Sequence, residues 1–220
     1  MCGSFEKTDT AYIRGLVKSG AATVTYHPLA ILTSQSLGTK YSVRSANAAA
    51  CVATYSPDAF FDFNAAMFAK QPAENTSGLS NAQLVSLVNG VDGITSTSRI
   101  DKCISDETYA SWVADATQRA LSGPIPGARI SKIASTPTVL ANGQQYKYST
   151  PFTVEEFSNF VVTAAGNSYS ADPTATATPT PTATGGSAET ATAKPTATPT
   201  PTASGSPVPG VKKIGTPATR

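Results

Sequence analysis

The sequence predicts an α/β domain that carries an inserted helical block and is followed by a tail that does not fold. Three observations lead there. Apolar residues recur at helical spacing over most of residues 1–122. The period then shifts toward alternation around an Asn-Gly pair at positions 142 and 143. Beyond about Ser170 the chain has no Phe, Tyr, Trp, Leu or Cys and consists mainly of Thr, Ala, Pro, Gly and Ser. The folding part is therefore 1–167, long enough for one good core, and 168–220 is low-complexity chain.

The first element is an amphipathic helix. Phe5, Tyr12, Ile13, Leu16 and Val17 give its apolar stripe, Gly20 its stop, and Cys2 lies at its N-terminus. A buried strand is expected from Ala22 to Tyr26, ended by Pro28. The helical block of about 44–122 opens with an Ala-rich helix from Arg44 to Tyr55 that carries Cys51. Ser56 and Pro57 read as a cap and first-turn proline, restarting a helix whose face is Phe60, Phe63, Met67 and Phe68. Ser80 caps a short helix with Leu84 and Val88 inside. Cys103 lies in or near another helix, and Glu107 to Leu121 forms the last of the block, with Tyr109, Trp112, Val113 and Ala116 on its core face.

Thr138 to Leu140 reads as a strand, Asn142-Gly143 as a hairpin turn, and Gln145 to Tyr148 as the return strand. Thr153 and Glu156 fit a capping box opening a final helix through Phe157 and Phe160. In the tail, "TATPTPTATG" recurs as "TATPTPTASG". Such chain favours extended, partly polyproline II conformations, and its Thr-Pro density suits O-glycosylation on an exported stalk.

Composition excludes several functions. The formal net charge is +2, and no basic patch interleaves with aromatics, so nucleic acid is not an expected partner. Neither a cysteine cluster nor a second histidine accompanies His27, so no metal site is expected. His27, before a proline at a strand end, reads as a packed structural residue rather than an acid–base group. No carboxylate pair suggests hydrolysis, and the sequon at Asn75 reads as chance. The chain contains no apolar run long enough to span a membrane, and no signal-like stretch leads it. An odd count of cysteines, Cys2, Cys51 and Cys103, leaves one thiol without a partner inside the chain.

Taken in order, several stretches resemble one family. "CGSFEK" resembles the second half of a Cys-Pro-x-Cys-x-x-Phe active-site run, and "VTYHPLAIL" the strand after the active-site helix. "ANAAACVA" and "AAMFAKQP" resemble an inserted helical subdomain, and "STPTVLANGQQY" a cis-proline loop with its hairpin. Over about the first 165 residues the chain resembles DsbA-like proteins of the thioredoxin superfamily, in the form found in Gram-positive bacterial envelopes.

That resemblance implies a thioredoxin-like fold and thiol–disulfide exchange. A nucleophilic cysteine at a helix start becomes a thiolate under the helix field, and a second, one turn on, closes or opens the ring. Cys2 falls on the second, resolving position and Met1 on the variable residue before it. The nucleophile, its proline and the preceding strands have no counterpart in the sequence, so the expectation is a true start further upstream. That start would supply a signal or anchor; the alternative is a degenerate short form. The resemblance makes the Thr136–Pro137 bond cis. It sets the backbone of Thr136 against the client, beside the thiols, where Thr136 could tune their potential.

Cys51 and Cys103 would form a structural disulfide, worth roughly 4 kcal/mol in the chain-entropy model. Read from the residues alone, they remain equally two buried thiols. The resemblance further implies clients that are exported proteins with cysteines, a membrane redox partner, no dissociable cofactor, a monomer, and an extracytoplasmic site of action. Reductase or isomerase direction is not distinguished from oxidase. The alternative function is a non-catalytic thioredoxin-like module that binds partners on an extended, glycosylated stalk.

Overall fold

The computed structural model describes residues 1–171; the tail expected over 168–220 lies outside the described residues from 172 on. Helices α1 (Cys2–Lys18), α2 (Tyr41–Tyr55), α3 (Phe60–Ala69), α4 (Asn81–Asn89), α5 (Thr97–Ser105), α6 (Ala110–Ser122) and α7 (Val154–Ala171) are joined by a two-stranded hairpin. The hairpin pairs β1 (Leu140–Ala141) with β2 (Gln144–Gln145) in antiparallel register, Leu140 opposite Gln145. A further bond from the Tyr146 N–H to the Val139 carbonyl, 2.9 Å, continues the pairing away from the turn.

Local chemistry accounts for most helix ends. Gly20, at φ 73°, lets α1 close as a Schellman motif: its N–H bonds to the Val17 carbonyl and that of Ala21 to Leu16. Ser80 and Gln83 form a complete capping box at the start of α4. Asn142 and Gly143, at φ 48° and 78°, make the expected hairpin turn.

Four expectations change. Residues 22–26 are not in a ladder, and Val24 is exposed. A strand needs a neighbouring backbone for its N–H and C=O groups, and no strand among the described residues runs beside it. Ser56 precedes Pro57 as expected, but its hydroxyl does not cap the new helix. It is buried and accepts the Thr95 N–H at 2.9 Å, tying the α2–α3 junction to the loop before α5.

Glu107 cannot open α6, because at φ 49° it is the left-handed residue that ends α5. Helix α6 buries Val113 and Thr117, and Trp112 is turned outward, 49% exposed. In the α7 box, Thr153 Oγ1 accepts the Glu156 N–H, but the Glu156 carboxylate accepts from the Ser149 N–H. It thus clamps the hairpin's exit rather than the helix cap.

Two main cores result. The first lies among α2, α3, α4 and α5, with Val52, Phe63, Leu84, Val88, Ile100 and Ile104 fully buried. Inside it Cys51 of α2 and Cys103 of α5 are joined by a disulfide, Cα–Cα 5.9 Å, closing 52 residues of sequence. The second is aromatic and joins α1, the hairpin and α7 through Phe5, Ile13, Tyr146, Phe152 and Phe157. A smaller cluster, Ala30, Ala46 and Val113, is bridged by the Ala30 N–H donating to Thr117 Oγ1 at 2.9 Å.

The aromatic core contains an anomaly. Asp9, on the inner face of α1, is fully buried and neither of its carboxylate oxygens has a hydrogen-bond partner. Burial, with the nearby charges of Glu6 and Glu156, pushes its pKa up to about 6. The buried Tyr146 hydroxyl is likewise unpartnered and is pushed up to about 12, by burial first and by the Glu156 and Asp9 charges next.

Two outcomes are expected. Replacing both Cys51 and Cys103 by Ala should cost roughly 4 kcal/mol, read as the shift in a urea unfolding midpoint. An equal midpoint for oxidised and reduced protein would contradict the stapling role. For Asp9, the folded state holds its proton more tightly than the unfolded chain does. Its stabilisation is therefore present below about pH 4 and is lost as pH rises through about 6. The melting temperature should fall by a few degrees between pH 4.5 and 7.5, and Asp9→Asn should remove most of that fall. An unchanged slope in the variant would count against it.

Candidate functional site

The site is built at the N-terminal end of α1. Cys2 is the first helical residue; its thiol is free and half-buried. A helix start leaves backbone donors unsatisfied. Here the Ser4 and Phe5 N–H groups both turn back to the Met1 carbonyl, at 3.0 and 3.1 Å. The Gly3 N–H instead donates to Gln71 Oε1, 3.0 Å away, just past the end of α3.

One turn after Cys2, Phe5 anchors this helix end. Its ring meets Phe152 at 5.5 Å and Phe157 at 5.4 Å, both edge-on. Tyr148, beyond β2, packs on Phe152 and donates its hydroxyl hydrogen to Met1 Sδ at 3.7 Å. The segment entering the hairpin carries Thr136 and Pro137, both half-buried, and the bond between them is cis. Val139, two residues on, packs against the same aromatic core as Phe5. The cysteine end of α1 and the cis-proline loop are thus attached to one rigid cluster.

Two clefts open along the first turns of α1, and Cys2 lines neither. One, of about 400 Å³, runs between α1 and α3 and is lined by Gly3, Glu6, Lys7, Thr10, Ala65 and Phe68. The other, of about 320 Å³, lies between Met1, Ser4 and Thr8 on α1 and Thr150, Pro151 and Phe152. Glu6 forms part of the first wall. Its carboxylate accepts from Thr10 Oγ1 at 2.8 Å and Asn64 Nδ2 at 3.4 Å, yet burial still raises its pKa. Cys2, Glu6, Asp9 and Ile13 follow one another at helical spacing along the inner stripe of α1.

The other residues singled out in the sequence lie elsewhere. Cys51 and Cys103 belong to the helical core and are held in their mutual disulfide. His27 is exposed rather than packed. Among the described residues, no three His, Cys, Asp or Glu side chains are grouped to hold a metal. Sequence reasoning missed Gln71, the buried acids Glu6 and Asp9, and two further cis bonds at Gly123–Pro124 and Thr150–Pro151. The i, i+3 placement of Glu6 and Asp9 on the apolar stripe was a signal that could have been read.

A free, half-buried thiol at a helix start can take part in exchange. Its thiolate can attack a disulfide sulfur or receive a bond from one.

Comparison with known proteins shows the family. The thioredoxin family model matches residues 1–162. No curated protein matches. Among solved structures, the reduced form of the disulfide bond oxidoreductase DsbG from Mycobacterium tuberculosis is 33% identical, with 75% of this chain and 72% of that chain covered and a TM-score of 0.59. Reduced DsbA from the same organism is 33% identical over 74% of this chain and 82% of that one, TM-score 0.55. Oxidised DsbA is 34% identical over 75% of each chain, TM-score 0.56. The fold is thioredoxin-like, mostly helical with a small sheet. The chain belongs to the thioredoxin family, as a DsbA-like member of that superfamily of thiol–disulfide oxidoreductases.

Proposed function

We propose that this protein takes part in forming or exchanging disulfides in exported client proteins. Cys2 acts as the resolving thiol, and Thr136 and Pro137 form the loop along which the client's extended chain lies. One observation carries the reading: Phe5, one turn after Cys2, and Val139, two residues after the cis Thr136–Pro137 bond, pack into one aromatic core. The Cys51–Cys103 staple supports an oxidising, extracytoplasmic setting, since structural disulfides persist there. A membrane redox partner that resets the thiol pair belongs to the same reading.

In exchange, a client disulfide is attacked by a nucleophilic thiolate, giving a mixed disulfide and releasing one client thiolate. The Cys2 thiolate then attacks the nucleophile's sulfur. A Cys2 disulfide forms, the mixed disulfide breaks, and the second client thiolate leaves with a proton from solvent. Run backward, the same steps oxidise a reduced client. Since Cys51 and Cys103 are already joined, the nucleophilic sulfur comes from a cysteine outside this set. In the resembling motif the two cysteines stand three positions apart.

The test supplies that cysteine. Joining Cys-Pro ahead of Met1 completes a Cys-Pro-x-Cys run, and the extended protein is assayed for oxidation of a reduced, unfolded client. Activity is expected of the protein carrying its preformed Cys2 disulfide, and Cys2→Ser, which cannot form that bond, should lose it; offered a client disulfide instead, the variant's remaining thiolate should stay joined to the client as a mixed disulfide, released at least about 100-fold more slowly than from the parent. An extended protein that turns over equally well with Ser at position 2 would remove Cys2 from the resolving role. Thr136→Arg, which puts bulk and charge on the client loop, should raise KM for a cysteine peptide about tenfold with a smaller change in kcat.

A further inference from the structure

Charge is unevenly divided over the folded domain. Residues 1–171 carry twelve Lys and Arg side chains and twelve Asp and Glu. The stretch 116–154 holds the cis Thr136–Pro137 loop and the hairpin. It has four of the cations, Arg119, Arg129, Lys132 and Lys147, and none of the anions. All four are exposed. Among the described residues none of them is in an ion pair; the paired cations there are Arg14 and Lys102.

The fold draws these cations to the loop. The hairpin register, Leu140 opposite Gln145, continues through the Tyr146 N–H bond to the Val139 carbonyl. It therefore sets Lys147 opposite Thr138, next to Pro137. Val139 and Tyr146 belong to the aromatic core, so their neighbours Thr138 and Lys147 face the other way. On that outer face Lys147 Nζ donates to Gln145 Oε1 at 2.8 Å. Ahead of the loop, the Ile133 N–H bonds to the Ala120 carbonyl at 2.9 Å, and the Gly123 N–H to that of Arg119 at 2.8 Å. A Cβ on Gly123, at φ 69°, would lie 1.9 Å from the Ser131 carbonyl oxygen, so only glycine lets the chain fold back there. The backbone at Lys132 is thereby held against the end of α6, beside Arg119. The Arg129 N–H is fixed on the Gly143 carbonyl at the hairpin tip. Carboxylates bordering the stretch do not neutralise it. Asp115, one turn before Arg119 on α6, is not paired with it, and Glu156 is taken up by the Ser149 N–H.

We propose that Arg129, Lys132 and Lys147 determine specificity: they make the cis-proline loop prefer client segments in which Asp and Glu flank the cysteine. This deepens the exchange reading above and rests on it, since it takes the client's extended chain to lie along Thr136 and Pro137. An extended chain advances about 3.3 Å per residue, so carboxylates a few residues from the cysteine come within reach of these long side chains. The same cations draw acidic segments in from solution and repel basic ones.

The measurement is peptide binding to the full chain by fluorescence anisotropy. Two dye-labelled peptides serve as probes, one with Asp and Glu around the central position, the other with Asn and Gln in their place. Both carry Ser instead of the cysteine, so no exchange occurs. In about 20 mM salt the acidic peptide is expected to bind about fivefold more tightly, and in about 0.5 M salt the two should bind nearly alike. The triple variant Arg129→Gln, Lys132→Gln, Lys147→Gln should lose the preference at low salt while melting within a few degrees of the parent, because exposed substitutions cost little stability. The triple variant Lys40→Gln, Lys70→Gln, Arg99→Gln removes as much exposed charge from the helical block and its borders, and should keep the preference.

Equal affinities of the parent for the two peptides, no binding of either, or a preference that persists without Arg129, Lys132 and Lys147 overturns the proposal. Capture by phosphatidylglycerol vesicles, lost in that variant while the peptides are not told apart, also overturns it and assigns the cations to a membrane surface. Binding needs neither thiol nor turnover, so failure of the oxidoreductase assay leaves this test standing, and a charge-blind loop leaves the exchange assay untouched.

Discussion

The packing of Phe5 against Phe152 and Phe157 is the interaction on which the rest of the site depends. It joins residues from opposite ends of the folded chain, and Tyr146 and Phe160 extend it by ring contacts of 5.1–5.2 Å. Without it, α1 would have only α3 to lie on. With it, the cysteine end of α1, the hairpin and the cis-proline segment take one fixed arrangement. Edge-to-face rings add about 0.5–1.5 kcal/mol each beyond their burial, but their larger effect here is directional. They fix the rotation of α1, and so which stripe, Cys2 to Ile13, faces inward.

The helical block is assembled on different terms. Its core is aliphatic, closed by the Cys51–Cys103 bond, and its polar groups serve junctions: Ser56 to Thr95, Asn47 to the Tyr109 N–H at 2.7 Å, Arg44 to the Leu79 carbonyl at 2.6 Å. Arg14 of α1 pairs with Asp62 of α3 and lies 4.4 Å over the Phe61 ring, so the block meets α1 along α3 as well as at its end. Thus α3 is the mechanical connection between the stapled block and the helix that carries Cys2.

Most of this architecture was legible in the sequence where a local rule acts alone. The Ser80–Gln83 box, the Gly20 stop, the Asn142-Gly143 turn and the Ala-rich α2 all appear where their residues require. Errors arose where a local preference needed a distant partner or lost to one. The β-branched run at 22–26 has strand chemistry but no neighbouring ladder among the described residues. Ser56 has a cap's position, yet its hydroxyl is drawn across to Thr95. Trp112 has a core residue's character, but α6 packs through Val113 and Thr117 and leaves it exposed.

At the site, Cys2 and Pro137 could be picked out only through resemblance to a family, since neither spacing nor composition connects them. Gln71 and Asp9 carry no motif. Their importance comes from what the fold puts beside them.

The hairpin turn has a consequence for how this domain can vary. The Gly143 carbonyl accepts the Arg129 N–H at 2.8 Å, and a Cβ on Gly143 would come within 2.7 Å of the Gly127 carbonyl oxygen. The tip is therefore seated against another loop rather than free in solvent. A seated tip cannot lengthen or shorten without lifting off, so the run from Pro137 to Tyr148 behaves as a ruler of fixed length. Pro137 begins the segment proposed to read the client, and Tyr148 touches Met1 beside the thiol. Relatives that preserve this chemistry should place their insertions and deletions elsewhere, as in the open turns at Gly38 and Gly93, where a side chain would meet nothing within 4 Å.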